Sequence, residues 1–155
     1  MDAFRAVFAP ALLLAACGGG ESTEPLATAA GRSGAMVVEA AWALPSLPPH
    51  TSCAAFLTLR NEGQEPDALV GVAVDAAAVA EMHTMAVGDD EVMRMREVER
   101  YAVPPGGSHA LAPGNDHLMF EELARPWLSG EEVTLTLRFE RAPELRLRIP
   151  VRPRR

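Results

Sequence analysis

Short apolar stretches, separated by turn signals, make up the chain from about Gly34 onward. The clearest is residues 132–140, where apolar side chains at odd positions alternate with polar or charged side chains at even positions. An alternation of this kind predicts a strand with one buried face. Residues 144–151 follow the same pattern, and further strands are predicted at residues 36–42, 54–60, 68–74, 79–85, 92–98, 109–111 and 117–123. Residues 101–103 either extend the strand at 92–98 or form another.

The breaks between these stretches are rich in turn-forming residues, as in Asn61-Glu62-Gly63-Gln64, Pro104-Pro105-Gly106-Gly107 and Pro113-Gly114-Asn115. No window carries a long pattern with the period of about 3.6 residues that a helix requires. Many short strands with turns between them predict an all-β fold, an antiparallel β-sandwich or barrel. A chain of 155 residues has the size of a single domain.

The N-terminal residues have the pattern of an export signal. The apolar run Ala9–Ala16 is too short to span a bilayer, and Cys17 and three glycines follow it. Leu14-Ala15-Ala16-Cys17 resembles a bacterial lipoprotein box, in which the cysteine carries the lipid. An ordinary signal peptide with a chance cysteine is the alternative, and both interpretations predict a periplasmic or otherwise extracytoplasmic protein.

The expected organisation has four parts. Residues 1–17 form a lipoprotein-type signal peptide with Cys17 as the lipidation site, and residues 18–34 form a flexible tether to the membrane. Residues 35–152 form the β-domain, and residues 153–155 form a basic tail.

Composition narrows the function. The formal net charge of −7 argues against nucleic-acid binding, which needs a basic surface. Hydrophobic residues make up 48% of the chain, so a folded core is expected rather than disorder. No Ser–His–Asp order, glycine-rich phosphate loop or paired acidic site stands out, which favours a carrier or binding module over an enzyme.

Cys53 lies in an apolar run, so a buried thiol is expected rather than a reactive or metal-binding one. A disulfide between Cys17 and Cys53 is an alternative only if Cys17 escapes lipidation.

Methionine and histidine are concentrated in one part of the chain. Five of the seven methionines and three of the four histidines lie within residues 82–119. His83 is followed two residues later by Met85, and His117 by Met119. Because residues i and i+2 of a strand project to the same side, each pair can converge on one atom.

Met93 and Met95 form a third pair, and Gly88-Asp89-Asp90 predicts a hairpin loop that brings them near His83. Thioether sulfur is a soft, uncharged ligand and imidazole is a borderline one, so a site of both selects Cu(I) over Zn²⁺, Ca²⁺ or Mg²⁺. Thioethers also form no disulfides in an oxidising compartment. The alternative is that the methionines fill the core.

The stretch from His83 to Met119, within a wider pattern over residues 41–151, resembles the periplasmic copper chaperones called PCuAC. Met95 is followed, after 21 residues, by His117-Leu118-Met119, as in that family. The stretch Glu91–Arg96, which reads EVMRMR, and the Pro-Gly turn before His117 are also similar. Eleven residues separate His83 from Met95, one more than the family spacing, and an insertion in the Gly88–Asp90 loop would absorb the difference.

The resemblance implies a cupredoxin-like β-barrel that carries Cu(I). The metal ligands it implies are His83, Met95, His117 and Met119, with Met85 and Met93 as alternates. It also implies delivery of copper to a recipient, an oxidase copper-centre subunit or a thiol copper chaperone, in cytochrome oxidase assembly.

Two other functions compete with a copper carrier. A cupredoxin-type electron carrier needs a cysteine thiolate beside two histidines, but Cys53 lies 30 residues before His83 and far from His117. A metal-free β-sandwich scaffold or adhesion module would use the methionines as core.

The remaining candidates have structural interpretations. His109 is expected on the surface or an edge strand, and His50 in a loop. Trp42 and Trp127 are expected in packing, and Asp89–Glu91 in a solvated loop.

Overall fold

The computed structural model describes residues 29–46, 49 and 51–153. The predicted signal peptide with Cys17, most of the predicted tether, His50 and Arg154–Arg155 lie outside these residues. Within the described part, no helix has the length and hydropathy needed to cross a membrane.

The described residues form eleven strands and closely follow the predicted pattern. They are β1 (Ala29–Ser33), β2 (Met36–Ala43), β3 (Cys53–Asn61), β4 (Asp67–Val74), β5 (Ala77–Val87), β6 (Met93–Glu97), β7 (Tyr101–Val103), β8 (Ser108–Leu111), β9 (His117–Leu123), β10 (Glu132–Phe139) and β11 (Leu145–Pro150).

The strands pair in two antiparallel sheets. In the larger sheet the order is β1-β2-β3-β9-β5-β6, and β8 also pairs with β3. In the smaller sheet the order is β11-β10-β4-β7. The predicted all-β antiparallel fold is confirmed.

One hydrophobic core joins buried side chains of both sheets. Leu57 and Leu118 come from the larger sheet, and Leu135 and Leu137 come from the smaller one. The alternation read in residues 132–140 therefore places the odd positions of β10 in the core, as predicted. Cys53 and Trp127 are buried in the same core, as expected.

A bulge in β2 sets the position of Trp42. Ala40 has a φ of 52°, and the pairing of β2 with β3 shifts register between Glu39 and Trp42. A positive φ at a non-glycine residue is uncommon, and an extra residue in one strand re-aims the side chains beyond it. Trp42 consequently lies opposite Phe56, with 4.8 Å between the ring centroids.

The structure differs from the sequence prediction at residues 29–33, which were expected to belong to the tether. They form β1 and pair with β2. Gly31 lies against Leu145 and Leu147, where a Cβ would approach the leucine methyl groups to 3.2–3.3 Å. The Ser33 hydroxyl donates to the carbonyl of Pro143 at 2.6 Å. Tertiary contacts thus hold a segment whose own sequence carries no strand pattern.

Candidate metal centre

Alternation and register bring the predicted ligands to one face of the larger sheet. In β5, His83 lies directly opposite His117 of β9, and Met85 lies directly opposite Met95 of β6. Opposed residues in neighbouring strands project to the same side, as do residues two apart in one strand. The resulting ligand face of β5, β6 and β9 carries Glu81, His83, Met85, Met93, Met95, Glu97, His117 and Met119.

The opposite face of the same strands belongs to the core. Met82, Leu118 and Phe120 project there and are buried. Met82 is thus a core methionine, whereas Met85 and Met119, two residues beyond each histidine, lie on the ligand face.

The two histidines form a buried pair. Each is 8% exposed, and their ring centroids are 5.7 Å apart with an edge-to-face angle of 81°. The ring centroids of Phe56 and His117 are 6.5 Å apart, and the Phe56 ring packs in turn against Trp42. Aromatic packing therefore continues from the histidine pair along this side of the sheet. Two imidazoles held this closely can serve as ligands to one ion.

Tyr101 fastens the backbone of the pair. Its hydroxyl is 2.7 Å from the carbonyl oxygen of His83 and 3.0 Å from that of His117. Burial raises the pKa of the Tyr101 phenol, and the negative charge of Asp116 adds to the effect. Tyr101 therefore stays a neutral hydrogen-bond donor between the two strands.

His117 presents a free lone pair to Met95. Its Nδ1 lies 2.8 Å from the carbonyl oxygen of Asn115. Because a carbonyl only accepts, Nδ1 carries the proton and Nε2 carries the lone pair. That Nε2 is 3.1 Å from the Met95 sulfur. Two electron-pair donors that face each other in this way match the chemistry of a shared cation.

In His83 the roles of the two ring nitrogens are reversed. Its Nε2 lies 2.7 Å from a carboxylate oxygen of Glu81. Its Nδ1 is buried, and no protein group hydrogen-bonds to it among the residues described. An orphaned buried polar atom is uncommon, and a neutral imidazole nitrogen of this kind has the chemistry of a metal ligand.

The methionines differ in their distance from this pair and in exposure. Met95 is 47% exposed and contacts His117, whereas Met93 is 56% exposed and lies opposite Val87, one pair of residues further from the histidines. Met119 is partly buried and lies opposite Glu81. Geometry therefore favours Met95 over Met93 as the sulfur closest to the histidines.

The loop between β5 and β6 contains Gly88–Asp90, the stretch in which an insertion is expected. Gly88 N–H donates to the Val92 carbonyl at 2.9 Å, and Glu91 takes a φ of 60°. Arg94 donates to Asp90 at 2.7 Å and lowers the pKa of that carboxyl. The loop closes on itself and leaves the pairing of Met85 with Met95 intact.

Three contributors to the site were not anticipated from the sequence: Glu81, Tyr101 and the carbonyl of Asn115. A carboxylate two residues before His83 shares its face in a strand, so Glu81 could have been found from spacing alone. His109 does not join the site, because it lies in β8 opposite the core residue Leu59 and pairs with Asp116 at 2.7 Å.

The donor set is soft. Among residues 29–46, 49 and 51–153, no group of three or more His, Cys, Asp or Glu residues could hold a metal ion. What the fold brings together is two imidazoles with thioethers beside them. Such a set is poor for Zn²⁺, Ca²⁺ or Mg²⁺ and suitable for Cu(I).

One family model and one curated relative match the sequence of this chain. The family model described as "Putative lipoprotein LpqE-like" matches residues 36–151. A curated relative, "Putative lipoprotein Lxx21020" of Leifsonia xyli subsp. xyli (strain CTCB07), is 27% identical over 99 residues, which is 64% of this chain. The matched part spans only 60% of that relative's length.

Comparison with solved structures confirms the fold expected from the resemblance to PCuAC. The apo PCuAC domain from PmoF1 has a TM-score of 0.71 at 23% identity, over 81% of this chain and 99% of that one. The copper-bound PCuAC domain from PmoF2 has a TM-score of 0.70 at 22% identity, over 81% and 98% of the two chains. The solution structure of CuI-DR1885 from Deinococcus radiodurans has a TM-score of 0.59 at 28% identity, over 79% and 80%.

Proposed function

This chain belongs to the LpqE-like family, and from that membership and the chemistry of its ligand face we propose that it is an exported Cu(I) carrier rather than an enzyme. The proposed ligands are His83, Met95, His117 and Met119, with Met85 and Met93 as alternates. The copper ion is the cargo, which the carrier picks up and passes on.

One observation carries the proposal. The His117 Nε2 lies 3.1 Å from the Met95 sulfur, and His83, whose buried Nδ1 has no hydrogen-bond partner among the described residues, lies directly opposite His117. In each arrangement a nitrogen lone pair lacks a hydrogen-bond donor among the described residues. A cation between the two rings and the sulfur would remove both defects.

The similar proteins support copper in particular. The PCuAC domain from PmoF2 is described as copper-bound, and DR1885, at 28% identity, is described in a Cu(I) form. Thioethers favour the reduced ion, since they are soft ligands that carry no charge.

An anaerobic titration with Cu(I) against a competing chelator tests the carrier directly. We expect one tight equivalent, a fall in affinity of about tenfold or more in Met95→Ala and His117→Ala, and a change of less than about threefold in Val87→Ala. Val87 is the matched control, because it is an exposed apolar residue on the ligand face, opposite Met93, and its side chain has no donor atom for a metal.

X-ray absorption on the Cu(I) form should count sulfur and nitrogen neighbours from both residue types. A protein that binds no Cu(I), or a Met95→Ala variant with wild-type affinity, would refute the proposed site. The first outcome would leave the metal-free scaffold as the function.

The electron-carrier alternative is disfavoured by the position of Cys53. This thiol projects into the core opposite Phe120, whereas His83 and His117 project from the other face of the sheet. A blue-copper centre needs thiolate and imidazoles on one ion. The copper-loaded protein should therefore lack intense blue colour.

Export, membrane attachment and delivery complete the proposal. The relative from Leifsonia is described as a lipoprotein, which supports Cys17 as a lipid anchor, residues 18–28 as part of a tether and the β-domain as an extracytoplasmic carrier. Cys17→Ala should move the protein from the membrane fraction to the soluble fraction. The proposed recipient is an oxidase copper-centre subunit or a thiol copper chaperone, and transfer of Cu(I) to the purified recipient tests it.

A further inference from the structure

The hydrogen bond between Glu81 and His83 gives the two histidines opposite chemical orientations. His117 donates from Nδ1 to the Asn115 carbonyl, which leaves Nε2 as its free nitrogen. His83 is bonded through Nε2 to Glu81, which leaves Nδ1 as its free nitrogen. We propose that Glu81 is a positioning residue that makes Nδ1 the copper-binding atom of His83, while His117 binds through Nε2. This inference rests on the proposed function.

The chemistry of the carboxylate decides the tautomer. An ionised carboxylate can only accept hydrogen bonds, so the proton of the neutral His83 ring lies on Nε2, 2.7 Å from Glu81. The lone pair then lies on Nδ1. A metal-bound histidine commonly donates its second N–H to a carboxylate or a carbonyl, which fixes the ring orientation and makes the other nitrogen a stronger ligand.

Burial makes this choice consequential. The His83 side chain is 10% exposed and that of Glu81 is 33% exposed, so the bond lies at the border of the buried pair. Nδ1 is itself buried, and no residue in the part of the chain that the structure describes hydrogen-bonds to it. Bulk water therefore reaches the Glu81 carboxylate more readily than it reaches Nδ1.

Strand geometry explains why Glu81 can perform this role. Glu81 and His83 are two residues apart in β5 and project to the same side. Glu81 also lies opposite Met119, and His83 lies opposite His117. The carboxylate is therefore next to the proposed ligands, and one of its oxygens lies 2.7 Å from the His83 Nε2.

Nitrogen-15 NMR of the two rings tests the assignment without relying on copper transfer. In the copper-free protein, at a pH where both rings are neutral, we expect a protonated Nε2 in His83 and a protonated Nδ1 in His117. Addition of Cu(I) should shift the His83 Nδ1 and His117 Nε2 signals most. A protonated Nδ1 in copper-free His83, or a Cu(I) shift centred on its Nε2, would overturn the inference.

Substitutions separate positioning from general charge effects. Glu81→Ala should lower Cu(I) affinity by about tenfold or more and speed solvent exchange of the His83 Nε2 proton. Glu81→Gln keeps an acceptor oxygen and should fall between Glu81→Ala and wild type. Glu121→Ala is the matched control, because Glu121 is exposed on the same face of β9, opposite Val79, and it should change affinity by less than about twofold.

The outcomes distinguish this inference from the copper carrier itself. Wild-type Cu(I) binding with the reverse nitrogen assignment, or with equal affinity in Glu81→Ala, would overturn only the role of Glu81. A wild-type protein that binds no Cu(I) would overturn both. The spectrum of His117 provides an internal standard, because its proton is held by a backbone carbonyl that no substitution at Glu81 removes.

Discussion

Replacement of Tyr101 by phenylalanine removes one hydroxyl group from the buried side of the histidine pair. Tyr101 is 3% exposed, and its hydroxyl lies within hydrogen-bond distance of the carbonyls of His83 and His117. The ring, its packing and the hydrophobic burial are unchanged. The loss is therefore limited to one proton donor shared between two acceptors.

The expected loss of stability follows from the removal of this one hydrogen-bond donor. A hydrogen bond contributes about 0.5–1.5 kcal/mol net, and an acceptor left unpaired in the core adds to the loss. For one shared donor we expect Tyr101→Phe to lower the free energy of unfolding by about 1–2 kcal/mol. For a domain of this size the loss corresponds to a fall in Tm of about 4–8 °C.

Urea unfolding followed by tryptophan fluorescence measures the loss, since Trp127 is buried in the folded state. The m-value should stay the same, because the surface exposed on unfolding does not change. A loss below about 0.3 kcal/mol would refute the view that Tyr101 fastens the two strands.

The pH dependence of the free energy of unfolding in the alkaline range gives an independent check on Tyr101. Folding raises the pKa of the Tyr101 phenol, mainly because burial disfavours the phenolate. Above about pH 10 the unfolded chain loses this proton while the folded protein keeps it, so stability falls as pH rises, by up to about 1.4 kcal/mol per pH unit. Tyr101 is the only tyrosine in the chain, so absorbance of tyrosinate reports it alone. The alkaline fall should be smaller in Tyr101→Phe, and an equal fall would assign it to another group.

Two further predictions concern the ligands and the core. Cu(I) affinity should decrease by about tenfold or more between pH 8 and pH 5, because protons compete for the imidazoles of His83 and His117 while thioethers do not titrate; a flat profile from a competition titration would argue against histidine ligation. Asp67→Ala should lower the free energy of unfolding by about 3 kcal/mol, because the buried carboxylate accepts the N–H groups of Arg141 and Ala142, both at 2.9 Å. Glu65→Ala, an exposed neighbour, should stay within about 0.5 kcal/mol, and similar losses in both variants would refute the role of the buried carboxylate.

Strand positions were predictable wherever one face of a strand is buried. Residues 132–140 alternate strictly, and β10 was predicted to within one residue. Residues 29–33 carry no such pattern, and the contacts of Gly31 with Leu145 and Leu147 join segments more than a hundred residues apart. The residues of β1 give no local indication of such a long-range contact. Periodicity therefore could not predict this strand.

The sequence predicted which candidate ligands share a side of one strand. It did not predict which ligands on different strands lie opposite each other. Spacing alone placed His83 with Met85 and His117 with Met119 on common sides. The direct opposition of His83 to His117 depends on the register between β5 and β9, which are separated in sequence by β6, β7 and β8. A shift of one residue would turn either histidine toward the core, and the sequence offers no local rule that fixes this register.

The position of β6 at the end of the larger sheet gives the proposed ligands unequal freedom. Among the strands that the structure describes, those of His83 and His117 have a neighbour on each side, whereas the strand of Met95 has a neighbour on one side only. The sulfur can swing outward at little energetic cost, while the imidazoles stay in place. In the proposed carrier, we therefore expect an incoming acceptor to displace the Met95 thioether first and the two imidazoles last.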